Sequence, residues 1–370
     1  MTQEIRKAGL VSRRQFIGTT AIGAAALAVL PVANSCQSNS QAPAPENEGN
    51  FPDSKFGGVQ IGVITYSWRD KPGSAENILQ YCKDAGISSI ELMGEVAESW
   101  AGLPPSPVEL PDPLPPEAKA RLDAMTKQYN MTLEQFRKSV DPPVWQMIVA
   151  MIVGTTEEQV KWRLSAPMAK FEELGKMFRD AGIGIHIAKF APAGWSDGEI
   201  DYAFNAAKAL GAKGITEESG IEAAKRLGPF AEKHGMYAIM HNHFQFADKN
   251  FNVDEVLATS PAVMLNFDCG HYFGSTGLNP VDFIEKYHNR IFSVHVKDKT
   301  GPNTNPPNEN QVWGQGEVPL ADVLLLLKKH ANEEGWPKHA DIELEYPVPK
   351  WSDSVKEVRT CVAYARQVLI

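Results

Sequence analysis

Short apolar runs alternate with helix-patterned stretches from residue 59 to the end of the chain. This rhythm limits the fold more than any other feature. The strand-like runs are VQIGVITYSW, ISSIELMG, GIGIHIAKF, AKGITEES, MYAIMHNHF, AVMLNFDCGH, RIFSVHVKD and HADIELEYP. Each is followed by a stretch with helical spacing, as in SAENILQYCKDAG, where Gly86 is the stop signal. Repeated strand-helix units imply a parallel sheet. Eight of them predict an α/β fold of the (β/α)8 TIM-barrel kind, with an eight-stranded parallel barrel, rather than an open doubly wound sheet. No Gly-x-Gly-x-x-Gly follows the first run, which removes the main support for a dinucleotide-binding fold.

One region breaks the rhythm. Residues 95–182 hold far more chain than one strand-helix connection needs. The proline-dense LPPSPVELPDPLPP is followed by helical stretches such as TEEQVKWRL and MAKFEELGKMFRDAG. This reads as an insertion after strand 2, serving either as a lid or partner contact or as extra helical wall.

The first 56 residues stand apart. Arg13 and Arg14 precede an apolar stretch from Ala21 to Val32 that is too short and too rich in Ala and Gly to span a membrane. Residues 1–35 therefore read as a twin-arginine export signal. Ser35-Cys36 resembles a lipoprotein processing site, and the polar tract QSNSQAPAPENEGN reads as a flexible tether within residues 36–56. The expectation is an exported, periplasmic protein with a lipid anchor at Cys36 to a membrane, whose barrel occupies residues 57–370. Cys82, Cys269 and Cys361 are scattered and odd in number, so they suggest no disulfide framework. The net charge of −9 becomes more negative once the basic signal is removed. Such a chain is a poor nucleic-acid binder.

Functional side chains of this architecture stand at the C-terminal ends of the strands. There the sequence puts Lys189 on strand 3, Glu217 and Glu218 on strand 4, and His241, Asn242 and His243 on strand 5. Asp268 and His271 follow on strand 6, His295, Lys297 and Asp298 on strand 7, and Glu343 and Glu345 on strand 8. Burying several carboxylates together is costly through repulsion and desolvation, and a divalent cation removes that cost. Mixed carboxylate and imidazole donors suit Mn²⁺ or Zn²⁺ first, then Co²⁺, Fe²⁺ or Mg²⁺. His186, His234 and His288 read as ordinary core or solvated histidines.

HNHF, DCGHYFG, SVHVKD, WGQGEVPL and IELEYP, in that order, resemble the motifs of the xylose isomerase-like TIM-barrel family. That group of sugar phosphate isomerases/epimerases also includes inosose dehydratases and ketose 3-epimerases. The likeness runs over roughly residues 59–370. It implies a metal site of Glu, Asp, His and Glu from separate strands. Carried over, these are Glu218, Asp268, His295 and Glu343, with Glu217 and Glu345 in reserve because alternation along strand 8 does not choose between Glu343 and Glu345. It also implies that Glu218, Glu343, His241, His271 and Lys189 serve catalysis. His243, Lys297, Trp68 and Trp313 would contact the substrate. The activity so implied is sugar isomerisation or epimerisation by proton abstraction next to a carbonyl. The alternatives are a lyase or dehydratase on 3-keto-glycosides, or a non-catalytic carbohydrate-binding lipoprotein. Export disfavours phosphorylated substrates, and no Gly-rich phosphate cradle stands at the strand ends. A free sugar, polyol or keto-glycoside is expected instead. The expected associations are a small carbohydrate substrate, a homo-oligomer and an exported sugar oxidoreductase that supplies the ketone.

Overall fold

A computed structural model describes residues 51–370, apart from Asn130, Val140 and Asp141. The expected export signal, Cys36 and most of the expected tether fall outside these residues. No helix among the described residues is long and apolar enough to cross a membrane.

Eight parallel strands close into a barrel: β1 (Val59–Ile64), β2 (Ser89–Met93), β3 (Gly184–Lys189), β4 (Gly214–Glu218), β5 (Tyr237–His241), β6 (Val263–Asp268), β7 (Ile291–Val296) and β8 (His339–Ile342). Closure is made on both sides of β1. Gln60 to Val63 pair with His339 to Ile342 of β8, and Val63 and Ile64 pair with Ile90 and Glu91 of β2. The strands are buried almost throughout, as a parallel sheet covered by helices requires. Gly62 is required where it stands, because a Cβ there would strike the Asp341 carboxylate of the neighbouring strand.

The outer helices follow the predicted spacing. α1 (Ala75–Ala85) starts at Ser74, whose side chain accepts from the Asn77 amide, and stops at Gly86 with φ +77°. After β2 come α2 (Gly94–Ala101), α3 (Pro116–Tyr129), α4 (Leu133–Ser139), α5 (Pro142–Val153), α6 (Glu157–Arg163) and α7 (Met168–Asp180). Helices α3 and α5 bury a small apolar cluster of their own, built on Ala118, Leu122, Trp145, Ile148 and Ile152. Arg163 at the end of α6 ties this region to the barrel wall. It bonds Glu98 through Nε (2.7 Å) and Nη2 (3.2 Å), bonds Glu199 through Nη1 (3.4 Å), and lies 3.8 Å over the Trp195 ring.

Beyond β3 the wall is α8 (Asp197–Leu210), α9 (Ile221–His234), α10 (Val253–Ala258), α11 (Cys269–Thr276), α12 (Pro280–Tyr287), α13 (Leu320–Lys329) and α14 (Ser354–Leu369). The sequence pattern anticipated α12 but not α11. Its DCGHYFG stretch turns helical directly after β6 because the Asp268 side chain caps it. All three described cysteines are free and buried.

Candidate metal centre

Strand ends β5 to β8 bring four side chains together inside the mouth of the barrel. His241, Asp268, His295 and Glu343 each offer a ligand atom, and these atoms lie within 4.8 Å of one another. All four residues are buried, none more than 5 % exposed. His241 ends β5, Asp268 ends β6, His295 lies within β7, and Glu343 follows β8.

Local structure fixes Asp268 tightly. Its Oδ1 accepts the His271 amide at 2.7 Å as the cap of α11. The Asn242 side chain accepts its backbone N–H at 2.9 Å and donates to its carbonyl at 3.1 Å. The other oxygen, Oδ2, is buried and has no aligned hydrogen bond, although the Lys297 ammonium stands 3.1 Å away. His241 Nδ1 is likewise buried without a partner. Buried polar atoms in native folds are nearly always satisfied. Two orphans inside a group of two imidazoles and two carboxylates fit a divalent cation with nitrogen and oxygen ligands.

His295 lies between two carboxylates. Its Nδ1 is 2.8 Å from Glu343 and its Nε2 is 2.8 Å from Glu91. Burial opposes its protonation, but Glu343 and Glu91 outweigh burial and hold its pKa well above the usual imidazole value. Glu343 shows the converse: burial would raise its pKa, yet Lys297 and His295 hold it well below the ordinary range. The pKa of His241 is pushed well down by burial, with the charge of His295 adding to the effect.

Lys297 supplies the positive charge at the mouth. Its ammonium reaches Glu345 at 2.7 Å, His271 Nε2 at 2.8 Å, Asp268 at 3.1 Å and Glu343 at 3.2 Å. Burial works against this charge, but the three carboxylates raise its pKa. An ammonium donates to His271 Nε2, so His271 is neutral, and burial followed by Lys297 pushes its pKa down to about 2. The His271 proton is then on Nδ1, which has no partner.

Glu218 is placed differently from the ligand position expected of it. It lies outside the four-residue group, 44 % exposed, with Lys189 at 3.3 Å and His243 Nδ1 at 3.0 Å. The reason is depth along the barrel. Thr216 and Glu218 share one face of β4. Thr216 points inward to Glu91, so Glu218 comes one tier higher, where solvent reaches. His241 from the next strand stands in the buried group instead. Glu217 has the opposite parity and is spent on the Ala193 and Glu218 amides, at 2.7 and 2.9 Å. Glu345 serves Lys297 from the rim.

The two tryptophans belong to the wall. Trp68 is 1 % exposed and meets Tyr81 of α1 edge-on, and Trp313 is 8 % exposed against Tyr364 of α14. Asp298 holds the Trp313 loop down by accepting the Gly314 and Gly316 amides at 2.7 and 2.9 Å. The aromatic ring at the mouth is Phe244, 53 % exposed and 5.2 Å from His271. A cleft of about 460 Å³ runs from Glu345 along Arg69 and Asp70.

Glu91 and Asp341 are not among the strand-end residues that the sequence singles out. Both are fully buried carboxylates inside apolar runs, and an acid at an inward position of SIELM or HADI was the available signal. His186, read as a core histidine, is hydrogen-bonded to Asp341 at 2.9 Å and to Ser89 at 2.9 Å.

Comparison with known proteins agrees with this architecture. One inosose dehydratase from Clostridium beijerinckii is 38% identical over 79 residues, 20% of this chain and 25% of that protein. Another from Clostridium botulinum is 29% identical over 128 residues, 30% of this chain and 42% of that protein. The matched stretches thus span under half the length of either relative. A xylose isomerase domain protein from Alicyclobacillus acidocaldarius superposes with a TM-score of 0.52 at 12% identity, over 84% of this chain and 98% of that one. At that identity the likeness concerns the fold alone. The xylose isomerase-like TIM barrel family model matches residues 79–361, and the chain belongs to that family.

Proposed function

We propose that this protein is an exported, divalent-metal-dependent sugar isomerase or epimerase. It acts by moving a proton next to a carbonyl of a free sugar, polyol or keto-glycoside. The observation that carries the proposal is the buried group of His241, Asp268, His295 and Glu343, with orphaned atoms on His241 and Asp268. These four residues would hold the cation, with Mn²⁺ or Zn²⁺ the best match to the donors. When bound, the cation supplies Lewis-acid polarisation of a substrate carbonyl.

The remaining work belongs to the protein's own groups. Glu218, half-buried at the rim and paired with His243, is the base that takes the proton from carbon. Lys189 steadies the Glu218 carboxylate. Lys297 holds its ammonium where negative charge develops on oxygen. His271 presents Nδ1–H at the mouth and returns that proton as its Nε2 takes one from the Lys297 ammonium 2.8 Å away. Phe244 offers an apolar face to a sugar ring, and the cleft beside Glu345 takes the rest of a glycoside.

A dehydratase is the second reading, favoured by the names of the two matched relatives. In that case Glu218 takes the same proton, and the His271 Nδ1–H protonates a departing β-hydroxyl, which leaves as water, while Lys297 passes a proton to His271 Nε2. The setting proposed for either reaction is the periplasm, reached through the twin-arginine signal and held there by lipidation of Cys36.

The test is deuterium incorporation from D₂O, followed by NMR with a panel of free sugars and 3-keto-glycosides. Exchange next to a carbonyl should require the metal and should be lost on chelation and in Asp268→Asn. Full exchange by a metal-free preparation would sink the proposal. Sugar binding with no exchange on any panel member would favour a carbohydrate-binding protein.

A further inference from the structure

We infer that Glu91 is a positioning residue, which fixes the tautomer of His295 so that Nδ1 is the nitrogen offered to the cation. The inference rests on the metal-centre reading above and goes beyond it, because Glu91 is not among the cation ligands proposed there.

Glu91 lies on β2, the one acid in the run Ser89–Met93, and is 0 % exposed. An ionised carboxylate so placed is costly unless partners compensate it. Its partners are specific. Oε1 accepts from the Thr216 hydroxyl at 2.6 Å, and Oε2 accepts from the Asn266 amide at 2.8 Å. Oε2 also stands 2.8 Å from His295 Nε2. A carboxylate oxygen can only accept from that nitrogen, so Nε2 carries the proton.

The other nitrogen, Nδ1, also donates, to Glu343 at 2.8 Å, and a cation held by Glu343 would take the place of that Nδ1 proton. Ligand histidines commonly donate their remote N–H to a carboxylate in this way, and such partners are worth about 10–100-fold in metal affinity.

Asn266 makes the choice of tautomer a contest. Its Nδ2 is 3.0 Å from His295 Nε2 as well as 2.8 Å from Glu91. Without the Glu91 carboxylate, nothing would hold the Nε2 proton, the amide would donate to Nε2 as a lone pair, and the proton that remains would be the one on Nδ1 against Glu343. That proton would block the position the cation needs. Glu91 therefore decides which of its two protons His295 keeps when a cation binds, from a strand that contributes nothing else to the metal group.

The experiment uses the full chain with ¹⁵N-labelled histidine, loaded with Zn²⁺, and long-range ¹H–¹⁵N correlation spectra. The His295 ring should show a protonated Nε2 and a metal-bound Nδ1. In Glu91→Gln, checked for fold by circular dichroism, the Zn²⁺ dissociation constant should rise by about 10–100-fold. The slowly exchanging Nε2–H signal should weaken or vanish. Zn²⁺ bound through Nε2 in the unaltered protein would overturn the inference while leaving the metal centre intact. So would a folded Glu91→Gln with unchanged affinity and tautomer. No Zn²⁺ binding by the unaltered protein would overturn the metal centre and this inference together. If Glu91→Gln does not fold, the spectrum of the unaltered protein decides alone.

Discussion

Replacing Lys297 with methionine tests the electrostatics of the mouth directly. Methionine keeps most of the apolar stem and deletes the charge. The ammonium is 1 % exposed and lies 2.7 to 3.2 Å from Glu345, Asp268 and Glu343. Removing one partner of a buried ionic group leaves the others uncompensated, at a cost of about 3–5 kcal/mol. At ~2.1 cal/mol/K per residue over roughly 320 residues, each kcal/mol moves the melting temperature by ~1.5 °C, so the loss is about 4–8 °C. A divalent cation should restore most of it, because it neutralises the same carboxylates. A ligand at a hundredfold excess over its Kd adds about 2.7 kcal/mol, or ~4 °C here. The gain should be larger in Lys297→Met than in the unaltered protein, since the competing ammonium is gone. The assay is a thermal melt of both proteins with EDTA and with Mn²⁺, at neutral pH. Refutation would be an unchanged melting temperature in EDTA, or a cation-induced gain no larger than that of the unaltered protein.

Two further outcomes follow from the structure. Arg163→Met should cost about 3–5 kcal/mol by stranding Glu98 and Glu199, read as a lower urea midpoint, with earlier proteolysis between residues 95 and 182. A midpoint within error of the unaltered protein would refute this role for Arg163. His339 stacks on His186 with ring centres 4.1 Å apart, and burial followed by the neighbouring His186 lowers its pKa to about 3. Between pH 6.5 and 3 the unfolded chain takes up a proton that folded His339 refuses, so this contribution to stability is lost as pH falls through that window. Relative to the unaltered protein, His339→Gln should therefore gain up to ~1.4 kcal/mol per pH unit below pH 6.5. Parallel stability curves at pH 7 and pH 5 would count against it.

Sequence alone determined the architecture and the end of the barrel that matters. Strand and helix periods are local, and eight alternations leave few closed solutions, so the closed parallel barrel and its α/β order were legible before any coordinate. The same reading pointed to the strand ends carrying Asp268, His295, Lys297 and Glu343, because this fold presents polar groups there. The capped start of α1 at Ser74 and its stop at Gly86 are equally local features.

Tertiary structure decided which polar side chains meet. Alternation gives a side chain's face but not its depth along the barrel axis, and depth separates Glu218, open to solvent, from His241, which stands in the buried group. Parity did distinguish Glu217 from Glu218 once the inward direction of Thr216 was known. Trp68 follows β1 and Trp313 lies in the loop after β7, yet Tyr81 of α1 and Tyr364 of α14 pack against them in the wall. Glu91 could be recognised as a partner of His295 only after closure, because 204 residues separate them along the chain. A hydrogen bond across a barrel depends on strand stagger and closure, and neither leaves a periodic trace in the sequence.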